Sequence, residues 1–212
     1  MFQSTTCTNA GYSFLVFILA LVCFAFVFQI CRADDALASG GKSPNGRYEV
    51  HVYRDDSRDP CNYDYGLIDI QHGKLLKKWD LDGGFVEYEG AINTTKVLWN
   101  ASSTLFALID HGTRHSMDLY IYDVSPLGVS AVRIPDYLEK GLSLVGAKEC
   151  YATSIVTLLV WKENSLTCRF VFDAGSEGYR SPFYDTNFTI TVAPSEKHAA
   201  QITRMDKPKA EE

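Results

Sequence analysis

A turn followed by an alternating strand occurs twice in this chain, and the repetition limits the possible folds more than any other feature. The first copy is "SPNGRYEVHVY", with Tyr48, Val50 and Val52 on one face and Arg47, Glu49 and His51 on the other. Period-two alternation suits a half-buried strand, because successive side chains point to opposite sides. The second copy, "NASSTLFALID", places a small polar turn at 100–103 before a strand at Leu105–Ile109, 57 residues further on. "GLIDIQHGKLLKKW" and "DLYIYDVSPLGVSAVRI" then follow in the same order, strand, glycine-containing turn, strand, at an offset about four residues smaller. A repeat of roughly 40 to 55 residues with three or four strands cannot bury both faces alone, so its neighbours have to cover it.

The rest of the chain extends this pattern. Residues 155–162 and 166–173 flank "ENS" as a hairpin, and "FTITV", 188–192, is a further strand. "PDYLEKGL" predicts one short helix near 135–141, with Pro135 in its first turn and Gly141 as its stop. The expected organisation is a leader at 1–33, a Gly-rich linker at 34–45, a β-rich domain at 46–193 and a charged flexible tail at 194–212. The fold class is mainly β: a single antiparallel sheet-rich domain, built as propeller-like blades or a twisted sandwich, behind an N-terminal apolar helix.

The order of these motifs resembles the blade repeats of TolB-type and WD40-like β-propellers. In those repeats a Ser-Pro-Asp-Gly turn leads into one strand and a Leu-x-Val-x-Asp strand follows. Here Ser43-Pro44-Asn45-Gly46 and "LYIYDV" stand in those places, with "VLW" as a hydrophobic-Trp lead-in. The resemblance spans about residues 43–134 and implies a bladed scaffold. A closed propeller takes at least four blades, and this chain has material for about three.

Residues 14–28 are apolar without interruption, and the low-polarity stretch reaches from about 12 to 31. Its length lies between a secretory leader and a membrane-spanning helix. Small residues at the −3 and −1 positions put candidate cleavage sites after Ala33 and after Ala38. The expected localisation is exported, periplasmic or extracellular. The alternative is a membrane anchor formed by residues 12–31.

Three cysteines follow the leader. Cys168 alternates with Leu166, Phe170 and Phe172 and reads as a core residue, while Cys61 and Cys150, both between strands, form a candidate disulfide. The net charge of −6 and the single short basic cluster, Lys74, Lys77 and Lys78, argue against nucleic acid. Asp110, His111 and His115 are the candidate metal ligands, although Gly112 and the flanking strands place them in a loop without fixed geometry. The acidic stretch at 54–64 and Asp80-Leu81-Asp82-Gly83 lack the residue order of a calcium loop. Phosphate-binding and Ser-nucleophile motifs do not occur in the sequence, and no cofactor is expected. Sequons occur at Asn93, Asn100 and Asn187.

The expected function is that of an exported, non-enzymatic β-rich domain that binds a protein or a cell-envelope component. Membrane contact would be confined to the N-terminal segment, and an oligomer could complete the sheet. The alternatives are a small metal-dependent hydrolase using 110–115 and a membrane-anchored structural domain.

Overall fold

The computed structural model describes residues 35–54, 63–80, 95–113, 116–125, 128–150, 153–175, 182–193 and 199–211. The chain divides between Asp35 and Ala36 into two units, and the second, Ala36–Glu212, contains all but the first residue of the sheet. The apolar leader and Ala33 lie outside the described residues. Among the described residues, no helix is long and apolar enough to cross a membrane.

The fold is mainly β, one mixed sheet that does not close. Among the described residues, the strands fall into three consecutive meanders. The first runs β1 (Asp35–Lys42), β2 (Tyr48–Arg54), β3 (Tyr63–Asp69) and β4 (Lys74–Asp80). The second runs β5 (Lys96–Trp99), β6 (Leu105–Thr113), β7 (Ser116–Ser125) and β8 (Gly128–Val132). The third runs β9 (Ser154–Lys162), β10 (Ser165–Asp173), β11 (Phe183–Val192) and β12 (Ala200–Met205), and β13 (Lys209–Ala210) also pairs with β11. Neighbours from β2 to β4, from β5 to β8 and from β9 to β12 pair antiparallel, for example Tyr48↔Asp69 through Arg54↔Tyr63. The meanders join by short parallel contacts, Ser39↔Lys96 between β1 and β5 and Ser116↔Ser154 between β7 and β9.

The repeat read in the sequence is a repeat of hydrogen bonds. Ser43 N–H donates to the Tyr48 carbonyl, and Asn100 N–H to the Leu105 carbonyl, 57 residues on. Gly46 and Ser103 both take the left-handed conformation, at φ 68° and 58°. A second set of equivalent bonds occurs three times: Ile70 N–H to Arg47 O, Val124 N–H to Thr104 O, and Val192 N–H to Asn164 O. The first two turns also touch, because Asn45 N–H donates to Ser103 Oγ at 3.1 Å.

Packing explains which strands alternate. One apolar layer joins Tyr48, Val50, Val52, Tyr65 and Leu67 of the first meander to Val97, Trp99, Phe106, Leu108 and Tyr122 of the second. The other joins Leu105, Ala107, Ile109, Leu119 and Ile121 of the second to Val156, Leu166, Phe170, Phe172 and Phe188 of the third. The middle meander is therefore covered on both faces, and β6 is apolar from Leu105 through Ile109. Each fully buried Phe contributes about 1.5–3 kcal/mol. Two indoles stitch the layers: Trp99 Nε1 donates to the Gly41 carbonyl at 3.0 Å, and Trp161 Nε1 to the Leu98 carbonyl at 2.8 Å.

Three boundaries differ from the sequence expectation. Residues 35–42, expected in a linker, form β1, because Ala38 is buried and Gly40 and Gly41 allow close backbone approach. Residues 200–205 and 209–210, expected in a charged tail, form β12 and β13 against β11. The helix, α1, spans Tyr137–Val145. Asp136 caps it by accepting from Glu139 N–H at 2.8 Å, so Pro135 precedes the cap. Gly146 ends it in the left-handed conformation. Gly141 is mid-helix, where a Cβ would come within 3.1 Å of the Phe172 ring.

Candidate interaction face

The side of the first meander turned away from the second carries a cluster of polar and aromatic side chains. Alternation along β2 puts Glu49, His51 and Tyr53 there, opposite Ile68, Gly66 and Asp64 of β3. The next strand adds Leu75 and Lys78. Glu49 links Lys42 at 3.8 Å to His51 at 3.1 Å, and Lys78 meets the Asp64 carboxylate at 2.6 Å. The Tyr53 ring lies beside His51 and under the Lys78 ammonium. It also covers Gly66, where a Cβ would stand 2.6 Å from the ring and 3.0 Å from Leu75. Gly66 thus supplies the hollow that seats Tyr53. Leu37, Ile70 and Leu75 of this meander are large apolar side chains exposed to solvent.

At the turn end of the same meander, Asp69 is buried and one of its oxygens accepts from Arg47 Nη2 at 2.9 Å and from His72 Nδ1 at 2.9 Å. The hydrogen bond from Arg47 holds the Asp69 carboxyl down to about 2, against the opposing effect of desolvation.

The 110–115 stretch is not a loop over its first part. Asp110 through Thr113 continue β6, and pairing resumes at Ser116. Asp110 is buried and accepts a 2.6 Å hydrogen bond from Tyr65 Oη, which also lies 3.0 Å from Thr95 Oγ1. This carboxylate joins the first meander to the second, a positioning role that accounts for its burial. The Tyr65 phenol is pushed up by desolvation and then by the Asp110 charge. The side chain of His111 and all of His115 lie outside the described residues. Among the described residues, no group of three or more His, Cys, Asp and Glu side chains could hold a metal ion.

Cys61, one half of the expected disulfide, lies outside the described residues, and Cys150, the other half, is a free thiol. Its Sγ–H is shared between the Thr153 carbonyl at 3.2 Å and Asp173 Oδ1 at 3.1 Å. Burial, then the Asp173 hydrogen bond, pushes this thiol up to about 11. Cys168 is a buried core residue, as its alternation predicted, and desolvation pushes it up to about 12. Thiolate chemistry at neutral pH is unfavourable at both. Asn100 is 1% exposed, and its side-chain oxygen accepts from the Thr104 and Leu105 N–H groups, so this sequon asparagine is a turn clamp. Asn187 is exposed on β11; Asn93 and the acidic residues at 55–62 lie outside the described residues.

The alternation of β2 marks Glu49 and His51 as a polar face, but nothing in the sequence marks Tyr65 as the partner of Asp110. Those two residues are 45 positions apart, and no local pattern links them. Neither a scan against protein-family models nor a search of curated proteins found a match.

Proposed function

We propose that this chain is an exported, non-enzymatic β module that binds a protein component of the cell envelope or its surroundings. The binding surface is the outer face of the first meander, centred on Tyr53 and Leu75. One observation carries the reading: an aromatic ring seated on a strand glycine, ringed by ion pairs and exposed aliphatic side chains. Aromatic anchors inside a polar rim are the composition of non-obligate protein interfaces. The burial of Asp110 beneath Tyr65 favours this reading over a hydrolase at 110–115, since the carboxylate is already engaged in joining two meanders.

The test compares the full chain with its Tyr53→Ala and Leu75→Glu variants in chemical cross-linking on intact cells, followed by mass spectrometry. The expected result is one protein cross-linked to the outer face by the unaltered chain and lost in both variants, with circular dichroism unchanged. A partner retained by both variants, or metal-dependent hydrolysis abolished by His111→Ala, would overturn the proposal.

A further inference from the structure

We infer that processing of the leader occurs after Ala33 and leaves the mature chain beginning at Asp34, so that strand β1 survives whole. The inference rests on the export reading and goes beyond it by choosing between two sites that sequence alone leaves equal. Both sites carry small residues at −3 and −1: Cys31 and Ala33 for one, Ala36 and Ala38 for the other.

The fold separates them. Ala38 is 2% exposed and belongs to the apolar layer with Val50, Val52, Val97 and Trp99. It sits in the middle of β1, the strand that joins the first meander to the second through Ser39↔Lys96. Two residues further on, a Cβ at Gly40 would lie 2.2 Å from the Val97 carbonyl oxygen, and the Gly41 carbonyl receives the Trp99 indole. Cleavage after Ala38 would remove Asp35–Ala38, half of the eight-residue strand. It would also leave a new α-ammonium on Ser39, a group that is largely protonated at neutral pH. That charge would sit where the backbone pairs with Lys96, beside a buried apolar layer. Cleavage after Ala33 keeps every residue of β1, with Asp34 to spare.

The experiment is expression of the full chain in a secretory host, with cell fractionation, intact mass and N-terminal sequencing of the exported protein. The expected N-terminus is Asp34, and Ala33→Leu is expected to reduce processed protein at least tenfold while precursor accumulates. An exported chain that begins at Ser39, or that keeps its leader, overturns this inference and leaves the export reading standing. So does unimpaired processing of Ala33→Leu. A chain that stays in the cytoplasm with its leader attached overturns both, and fractionation distinguishes the two failures.

Discussion

Gly40 and Gly46 share a left-handed backbone, φ 74° and 68°, yet their surroundings differ completely. A Cβ at Gly46 meets nothing within 4 Å. One at Gly40 would stand 2.2 Å from the Val97 carbonyl oxygen, and the gap has to open to 3.0 Å or more. The obstacle is backbone of β5, so relief requires moving β1 away from the second meander. Gly46→Ala incurs only the left-handed penalty of about 1–2 kcal/mol. Gly40→Ala incurs the same penalty plus an overpacking cost of about 1–3 kcal/mol. In a domain of this size 1 kcal/mol corresponds to about 2–4 °C. The expected melting temperatures are therefore lower by about 2–8 °C for Gly46→Ala and about 4–20 °C for Gly40→Ala. Urea unfolding followed by tryptophan fluorescence gives the same comparison as free energies, provided the slope m is unchanged. Equal losses in the two variants, within about 0.5 kcal/mol, would refute the close joint between β1 and β5.

Three further outcomes are expected. Tyr65→Phe removes the 2.6 Å hydrogen bond to buried Asp110 and lowers stability in urea by about 1.5–3 kcal/mol; a loss below about 0.5 kcal/mol would show that the bond contributes nothing. The depressed Asp69 carboxyl makes a contribution that is whole above an ordinary carboxylate value near 4, fades as pH falls and is gone below about 2. Asp69→Asn should therefore flatten acid unfolding over that window, and an unaltered acid limb in the variant would exclude the Arg47 clamp. Because burial pushes Cys168 up to about 12, iodoacetamide at pH 8 should leave it unmodified in the native protein and label it fully in denaturant; rapid native labelling by peptide mass spectrometry would contradict its burial.

The elements most legible in the sequence were those whose pattern is local. Tyr48, Val50 and Val52 alternate with Glu49 and His51 because one face meets the second meander and the other meets solvent. The 57-residue offset was visible because turn chemistry repeats: Ser43 and Asn100 each use a side-chain oxygen to accept from the backbone N–H five residues later. β1 was hidden, since "DALASGGK" has linker composition and acquires strand character only through tertiary contacts. β12 was hidden in the same way, its exposed Gln201, Thr203 and Arg204 outweighing Ala200 and Ile202. Gly141 looked like a helix stop because glycine usually is one; its real constraint is the Phe172 ring. Of the candidate site, the polar residues of β2 could be read, whereas the Tyr53–Gly66 fit depends on β3 register.

The same alternation distinguishes the middle of the three described meanders from the outer two. A unit covered on both faces cannot alternate, and β6, "LFALI", does not. The terminal meanders do. On the third, the face away from the core pairs Ser165 with Thr191 at 2.8 Å and Thr167 with Thr189 at 3.3 Å, with Arg169 bonded to Asp185 at 2.7 Å. On the first, Glu49 engages Lys42 and His51. Stacking another apolar sheet on either face would strip water from hydroxyls and ion pairs that have no matching partners in such a sheet, at a cost of several kcal/mol. A polar-rimmed protein surface meets no such obstacle, because it can keep the rim hydrated while enclosing Tyr53 and Leu75. The ion pairs of the first of these faces are thus the chemistry on which the proposed recognition surface rests.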